Sequence, residues 1–430
     1  MSPRTVVRAA AAVALAACAS PTRPRFEPAG EPLVSVVAGP DHSCGLASDG
    51  RAYCWGDNSS GQLGNGSVEY VRGAVPVVGG LRFASLAVAY TRSCGVTRDA
   101  RAFCWGSNPT SGLVRGLKAL EESRRGAPVA VVPELALTAI GVGRDFACGL
   151  TAAAALHCWG ARGDAALGNG FTTLAVGAEH ACALDGAGGA WCWGSGLNGE
   201  LGSGATLRAE APVAVAGALS FTTISVGADF TCATTPPGEA YCWGRNHLGQ
   251  LGAPSAERCG GYPCATRPLR VPVPVPVRSV SAGDARSCAL ADGGAVYCWG
   301  GGPMAIVNRW TSDTAAPRLV PLGTPFRSLS VGGHRACGIT AAGEAVCWSA
   351  SLGLPPDPAG REGSRMITRW FLAWTLGGAA LGVVVGLLVG YLRSGTWAVA
   401  GGVQGALLGA ATGFAAGFLV GFLNVMRSLG

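Results

Sequence analysis

Seven pairs of cysteines, each followed by a tryptophan, constrain the fold of this chain more than any other feature. Nine residues separate the two cysteines of each pair, and the tryptophan directly follows the second cysteine. The first cysteines recur every 34 to 56 residues, an interval typical of blades, arrays or solenoids. The chain is therefore predicted to be a repeat protein. The pairs are Cys44 with Cys54, Cys94 with Cys104, Cys148 with Cys158, Cys182 with Cys192, Cys232 with Cys242, Cys288 with Cys298 and Cys337 with Cys347.

The first copy of the repeat predicts a β-hairpin closed by a disulfide. Two short apolar segments flank the loop Ser48–Gly50, and a glycine at the last position is typical of a three-residue hairpin loop with a left-handed residue. This loop places Cys44 directly opposite Cys54, close enough in an antiparallel pair for a disulfide. The same loop position holds glycine in five copies and alanine in the other two, at Ala100 and Ala154.

Four short strands in each repeat describe one blade of a propeller. The outermost strand is expected where proline precedes valine or leucine, because proline confines a strand to a sheet edge. Seven units predict an all-β, seven-bladed β-propeller over residues 33–352. The third repeat lacks such a proline segment, so its blade is expected to be incomplete. In the seventh repeat no full outer strand remains after Trp348, so ring closure would borrow a strand from Arg23–Gly30. The proline segments are Pro76–Val78, Pro128–Val132, Pro212–Val215, Pro272–Val277 and Pro317–Val320.

A longer sequence pattern surrounds the first cysteine pair. From Gly39 to Gly64 the chain reads Gly-x-x-His-Ser-Cys-Gly-Leu, then Asp-Gly-x-x-Tyr-Cys-Trp-Gly-x-Asn-x-x-Gly-Gln-Leu-Gly. This pattern resembles the repeat of the regulator of chromosome condensation family, in the cysteine-bearing variety of exported bacterial proteins. Its ending recurs at Gly199–Gly202 and Gly249–Gly252. The resemblance implies a platform for binding proteins, and it carries over no activity because the matched residues are scaffold.

The N-terminal residues predict an export signal. Arg4 and Arg8 precede an apolar stretch that ends at Cys18, which resembles a bacterial lipoprotein signal. Residues 1–17 are then the signal peptide, Cys18 is the lipidated first residue of the mature chain, and the proline-rich residues 18–32 are a tether.

The remaining cysteines favour an oxidising compartment. Without Cys18, sixteen of the 17 cysteines remain, namely the seven repeat pairs and the further pair of Cys259 with Cys264. Zinc ligation and buried free thiols are the alternatives. A structural zinc site needs four ligands, whereas each hairpin brings only two cysteines together, so disulfides are favoured.

Two long uncharged segments near the C-terminus predict a transmembrane α-hairpin. Residues 370–392 and 397–426 are each long enough to cross a bilayer as a helix, and residues 353–369 link them to the propeller. Glycine recurs at every fourth position, which allows close helix packing and resembles the glycine-zipper segments of bacterial envelope proteins. A homo-oligomer or pore is an alternative use of these glycines. They are Gly378, Gly382, Gly386, Gly390, Gly401, Gly405, Gly409, Gly413, Gly417 and Gly421.

The charge distribution bears on partners and on topology. The net charge is +7, and the 32 basic residues, of which only Lys118 is a lysine, are spread over all repeats. A nucleic-acid binder usually concentrates such charge on one face, so nucleic acid is not the expected partner. Arginines flanking the C-terminal segments favour a cytoplasmic propeller by the positive-inside rule. The signal and the paired cysteines favour the exported side, which we expect because large domains are translocated largely regardless of charge.

No residue set in the sequence points to catalysis, a cofactor or a metal. His42 and His180 share a position that holds arginine or phenylalanine in other copies, as expected of a scaffold position at a blade edge rather than a catalytic base. The tryptophans are expected to fill the core between blades.

We therefore expect a non-enzymatic, membrane-anchored envelope protein that binds a protein partner through loops on one face. Long departures from the repeat, Ser107–Ala127, Ala253–Leu269 and Gly301–Ala316, are the expected binding loops. The alternatives are a cytoplasmic regulator, exchange-factor-like or associated with nucleic acid, and an envelope enzyme.

Overall fold

The computed structural model describes residues 32–71, 73–107, 126–161, 163–301, 316–333 and 335–349. The secondary-structure elements assigned in these residues are all β-strands. No helix long and apolar enough to cross a bilayer is found among the described residues. Several predicted features lie outside the described residues. They are the signal peptide, the lipidation site Cys18, nearly all of the tether, the strand Arg23–Gly30, the linker and both glycine-rich segments.

The strands form seven antiparallel sheets that follow one another along the chain, each one a blade. Within each blade the strands pair in chain order, except in the fifth, where Tyr262–Val271 pairs with the third strand and the short strand Arg258–Cys259 lies outside it. The first strands of adjacent blades lie together at the centre of the ring. The seven-bladed propeller predicted from the repeats is confirmed.

The strand bounds are as follows. The first three blades comprise β1 (Leu33–Ala38), β2 (His42–Ala47), β3 (Ala52–Gly56), β4 (Val75–Pro76), β5 (Phe83–Ala89), β6 (Arg92–Thr97), β7 (Ala102–Gly106), β8 (Val129–Val131), β9 (Leu137–Val142), β10 (Phe146–Thr151), β11 (Leu156–Gly160) and β12 (Ala165–Ala166). The fourth and fifth comprise β13 (Phe171–Val176), β14 (His180–Asp185), β15 (Ala190–Gly194), β16 (Ala209–Ala214), β17 (Thr223–Val226), β18 (Phe230–Thr234), β19 (Ala240–Arg245), β20 (Arg258–Cys259) and β21 (Tyr262–Val271). The last two comprise β22 (Val277–Ala282), β23 (Arg286–Ala291), β24 (Val296–Gly300), β25 (Arg318–Leu319), β26 (Phe326–Val331), β27 (Arg335–Thr340) and β28 (Ala345–Ser349).

Each blade is crossed by a disulfide between its second and third strands, as the hairpin register predicts. The two Cα atoms of each blade pair are 4.0 to 4.1 Å apart. The described residues contain eight disulfides, so the prediction of disulfide bonds is confirmed. The blade bonds join Cys44 to Cys54, Cys94 to Cys104, Cys148 to Cys158, Cys182 to Cys192, Cys232 to Cys242, Cys288 to Cys298 and Cys337 to Cys347, and the eighth joins Cys259 to Cys264.

The hairpin loop that sets this register is left-handed at its last residue. The φ angle is +90° at Gly50, and it is +63° and +59° at Ala100 and Ala154, where alanine replaces the glycine. The loop places Cys44 opposite Cys54. Each disulfide-closed blade loop stabilises the fold by roughly 2–3 kcal/mol through chain entropy.

Two outer strands differ from the prediction. The third blade is shortened rather than incomplete, because Ala165–Ala166 pairs with β11 and supplies a fourth strand. In the fifth blade the outer strand is Tyr262–Val271, which ends before the predicted segment Pro272–Val277. Prolines in that segment have no N–H to donate to a strand pairing, so it links two blades instead.

The ring closes through its innermost strands. The backbone N–H of Ala38 donates to Ser330 Oγ, 2.9 Å away, and joins the first blade to the seventh. At the end of the innermost strand, five residues before the first cysteine, every blade has glycine except the second, which has Ala89 there. A Cβ atom added to Gly332 would collide with the backbone of Gly39 in the first blade. At most other junctions, a Cβ atom added to the equivalent glycine would collide with the backbone of the next blade. Glycine therefore allows the blades to meet this closely at the axis.

The propeller has two faces that differ in their loops. One carries the turns between first and second strands together with the connections from third to fourth strands, and we call it the connection face. The opposite face carries the three-residue turns between second and third strands, and we call it the hairpin face. We call the segment that follows the third strand of each blade its tail.

Candidate protein-binding face

Length variation between repeats is concentrated on the connection face. The three long departures all join a third strand to a fourth strand, in the second, fifth and sixth blades. Residues 108–125 and 302–315 of these departures lie outside the described residues, whereas Ala253–Leu269 is described throughout. On the hairpin face, all seven turns have the same length. The expected binding loops therefore begin and end at one face of the ring.

The described departure forms a disulfide-closed hairpin on the fifth blade. Strand β20 pairs with the start of β21, and Cys259 is bonded to Cys264 with Cα atoms 5.7 Å apart. At the tip, Tyr262 is 51% exposed. The guanidinium of Arg245 lies 4.9 Å from the centre of the Tyr262 ring, and the His247 ring meets it edge-on at 6.1 Å.

Carboxylates surround the mouth of the central channel on the same face. They occupy the turns between first and second strands in five blades, whereas Arg144 is the one cation in the described turns of this kind. Arg144 lies 3.4 Å from the Glu179 carboxylate and stacks on Tyr90 at 5.1 Å. Burial, and next the negative charge of Asp284, raise the pKa of Tyr90. The carboxylates are those of Asp41, Asp145, Glu179, Asp229 and Asp284.

His42 and His180 lie buried between blades and not at a blade edge. His42 Nε2 is 2.8 Å from the hydroxyl of Ser93 in the next blade, and His180 Nε2 is 2.8 Å from that of Thr231. Burial lowers the pKa of His42 from 6.5 to about 4 and that of His180 from 6.5 to about 3. Both imidazoles are therefore neutral at physiological pH and act as structural partners of hydroxyl groups.

The recurring Gly-Gln-Leu-Gly ending fastens one blade to the next. The Gln62 carbonyl accepts hydrogen bonds from Ser93 Oγ at 2.9 Å and from the Trp105 indole N–H at 2.9 Å. The Gln62 side chain supports its own turn by accepting the Ser60 N–H at 2.8 Å. We call this arrangement the latch. Glu200 and Gln250 make the same contacts with the fifth and sixth blades.

The sequence pattern revealed this ending but did not predict that it contacts the next blade. The signal lies in the residue before the first cysteine, which is a serine or threonine in the three blades that receive a described latch, namely Ser93, Thr231 and Ser287. Alanine takes that place in the third, fourth and seventh blades. The first blade also has a hydroxyl there, at Ser43, and the tail of the seventh blade lies outside the described residues. Among the described residues, a hydroxyl at this position therefore accompanies every latch.

Arginine at the position of His42 supports the start of two long departures. Arg92 Nε donates to the Ser107 carbonyl at 2.6 Å, and the Arg286 guanidinium donates to the Gly301 carbonyl. Burial lowers the pKa of both arginines. Burying a cation is costly unless it is hydrogen-bonded, so these contacts position the backbone where each departure leaves its blade.

Metal ligation finds no support in the described ranges, where no group of three or more His, Cys, Asp or Glu residues is placed to hold an ion. The eight cysteine pairs lie within the described ranges, and Cys18 and the C-terminal glycines lie beyond them.

Comparisons with known proteins identify the repeat. Models of the regulator of chromosome condensation (RCC1) repeat match residues 33–62 and 221–250 and residues 49–83, 187–234 and 237–290. The chain therefore contains RCC1 repeats, and the resemblance to that repeat is confirmed.

Solved structures show the same fold. Yeast RCC1 (Prp20) bound to Kap60 is 20% identical, with a TM-score of 0.59 over 76% of this chain and 82% of that one. Prp20p from Saccharomyces cerevisiae, characterised for binding to Gsp1p and histones, is 18% identical, with a TM-score of 0.59 over 78% and 86%. Human WBSCR16 is 18% identical, with a TM-score of 0.58 over 70% and 88%. At these identities the likeness shows the fold alone.

Proposed function

We propose that this protein is an exported, membrane-anchored propeller that binds a protein partner through its connection face. The observation that carries the proposal is the contrast between the two faces. Three long departures start and end on the connection face, whereas the turns of the hairpin face are uniform. Repeat folds commonly place binding in variable loops on a rigid scaffold.

The disulfides support the exported location. Eight of them in one chain are consistent with an oxidising compartment. The anchors in this proposal are a lipid on Cys18, joined to the propeller by residues 18–32, and the two apolar helices at 370–392 and 397–426. A protein partner agrees with the binding of Kap60, Gsp1p and histones by the yeast propellers of the same fold.

A binding role also suits the chemistry of the described face. The two buried histidines are neutral and engaged with hydroxyl groups between blades, so they have no free base to offer a substrate. The mouth presents carboxylates and a tyrosine to solvent, which are groups that recognise a charged protein surface.

The location is tested by mass spectrometry of the full chain from cell membranes, alkylated before any reduction. We expect the blade cysteines to resist alkylation and the N-terminal peptide to begin at a lipidated Cys18. Fourteen alkylated blade cysteines on an unprocessed N-terminus would place the propeller in a reducing compartment and overturn the exported location.

The binding face is tested by photo-crosslinking in cells. A benzophenone amino acid replaces exposed residues of the connection face, Leu197 or Leu248, and exposed residues of the hairpin face, Asp99 or Asp292. We expect protein adducts from the first pair and none from the second. Adducts from the hairpin face alone, or from neither face, would overturn the proposed binding face.

A further inference from the structure

We propose that the hairpin tip of the fifth blade and the adjoining channel mouth form the docking site for a basic, partly apolar protein segment. Such a segment carries a lysine or arginine next to an apolar side chain. The inference rests on the proposed function and adds the surface and the chemistry of the partner.

The first argument is the restraint on an exposed aromatic ring. Tyr262 is 51% exposed, yet three contacts fix its position. The disulfide Cys259–Cys264 closes the hairpin around it, Arg245 stacks at 4.9 Å, and His247 meets its edge at 6.1 Å. Little conformational entropy remains to be lost when a partner covers such a ring, so the ring is suited to anchoring an interface.

An exposed leucine in the same tail adds apolar surface to the connection face. Leu248 follows His247 in the same tail and is 38% exposed. Tyrosine and arginine are enriched among the residues that dominate binding energy at protein interfaces, where they fill pockets of the partner. An apolar side chain of the partner therefore has Tyr262 and Leu248 to pack against.

The second argument is the charge that lies beside this surface. Arg245 Nη1 is 3.2 Å from the Asp229 carboxylate, so a single arginine connects Tyr262 with the channel mouth. Beyond Asp229, carboxylates of four other blades occupy the same turns, although the chain as a whole has a net charge of +7. A basic side chain entering the mouth gains several carboxylate partners while its apolar neighbour covers Tyr262.

The cations of the hairpin do not face the mouth. Arg258 pairs with Pro263, and Cys259 pairs with Tyr262. Since neighbouring positions of a strand point to opposite faces, Arg258 lies on the side of the hairpin away from the Tyr262 ring. Arg267 lies against Gly204 of the fourth blade. A partner at Tyr262 therefore meets the Arg245 guanidinium first and, beyond it, the mouth carboxylates, of which Asp229 is paired with Arg245.

The test uses the full oxidised chain in detergent and a random-peptide display library as the probe. Peptides selected on the wild-type protein are sequenced, and the best one is titrated against the variants Y262A, Y262F, D229N and Y70A. Tyr70 is a matched control, because it is 75% exposed in a tail of the same face but lies outside the proposed site.

We expect selected peptides to place lysine or arginine within a few positions of an apolar residue. Y262A should weaken binding about tenfold or more, as expected for an interface anchor. Y262F should stay within about threefold, because it keeps the ring. D229N should weaken binding about threefold and reduce its salt dependence, and Y70A should leave it unchanged.

Three results would overturn the inference. They are selection of acidic peptides, equal binding by Y262A and wild type, and failure to enrich any peptide above background. If crosslinks still arise from the connection face, these results remove the docking site and leave the proposed function standing. If crosslinks arise from neither face, the proposed function itself fails.

Discussion

Two matching stretches, Gly56–Gly66 in the first tail and Gly160–Gly170 in the third, pack differently. The first stretch is followed by more chain before β4 begins at Val75, whereas the third leads directly into β13 at Phe171. The first tail reaches the second blade and forms a latch. The third tail folds back, and Ala165–Ala166 pairs with its own blade as the outer strand. Trp193, the tryptophan of the fourth blade, has a buried indole N–H without a hydrogen-bond partner among the described residues.

Side chains that support the turn contribute to this difference. In the first tail, Asn58 Oδ1 accepts the Leu63 N–H at 3.1 Å, and Asp57 accepts the Gln62 amide at 2.6 Å. The third tail has alanine in place of Asp57 and of Gln62, so neither contact is available to hold a turn. The two tails therefore differ in the polar side chains that hold the latch turn and in the length of chain that remains to form an outer strand.

The largest expected effect is a loss of stability at low pH, caused by the histidines at the interfaces that carry a latch. Burial holds the pKa of His42 at about 4 and that of His180 at about 3, below their ordinary value of 6.5. The unfolded chain therefore binds protons that the folded chain does not, and stability is lost as pH falls from about 6.5 to about 4 and below. The full loss is roughly 3 kcal/mol for His42 and roughly 5 kcal/mol for His180.

The measurement is the melting temperature as a function of pH, for wild type and for the double variant H42F/H180F. Phenylalanine is the matched replacement, because Phe146 has that position in the third blade. We expect the variant to lose much of the pH dependence. Parallel curves for the two proteins would contradict the assignment of acid sensitivity to these histidines.

The next largest effect is expected from replacing the leucine of each tail with alanine, which should lower the free energy of unfolding by different amounts in the two tails. Leu63 is fully buried in the latch, whereas Leu167 of the third tail is only partly buried. L63A should reduce the free energy of unfolding by about 3 kcal/mol and L167A by about 1 kcal/mol. Calorimetry of the full chain compares the two, and equal losses would mean that the latch adds no packing of its own.

A glycine in each tail provides a smaller contrast. A Cβ atom on Gly64 would lie 2.6 Å from Trp105 Nε1, whereas one on Gly168 would lie 3.7 Å from its nearest neighbour, Phe171. Both glycines have positive φ, so alanine is strained at either position. We expect G64A to lower the free energy of unfolding by about 2 kcal/mol and G168A by about 1 kcal/mol, as measured by calorimetry of the full chain. A cost for G168A as large as that for G64A would show that strain outweighs the clash with the indole.

The smallest predicted effect concerns one hydroxyl. S93A removes a donor to the Gln62 carbonyl and a partner of His42, and should cost about 1 kcal/mol. The reciprocal variant A181S places a hydroxyl in the fourth blade, where no described latch arrives, and should bring no gain. Stabilisation by A181S would indicate that a hydroxyl is sufficient without a latch carbonyl.

The blades and the register of their hairpins could be predicted from the sequence, because they depend on residues that are close together along the chain. The loop Ser48–Gly50 alone places Cys44 opposite Cys54, and the structure has that pairing. The latch depends on a backbone carbonyl that meets a hydroxyl about 30 residues away, at Ser93. No hydrophobic periodicity reports such a contact, and the buried position of His42 escaped prediction for the same reason.

The candidate site was predicted in part. The sequence singled out Ala253–Leu269 and the pair of Cys259 with Cys264, and the structure describes both as a closed hairpin. It did not predict that Arg245 would stack on Tyr262, because these residues belong to different strands and come together only through the β19–β21 pairing.

The short spacing of the blade disulfides has a consequence for how the chain matures. Each blade bond joins cysteines only 10 positions apart, and a loop of that size closes at far lower entropic cost than one spanning two blades. The correct partner of each cysteine is therefore its nearest one. Oxidation can follow the chain as it emerges, one hairpin at a time, and needs no finished ring to guide it.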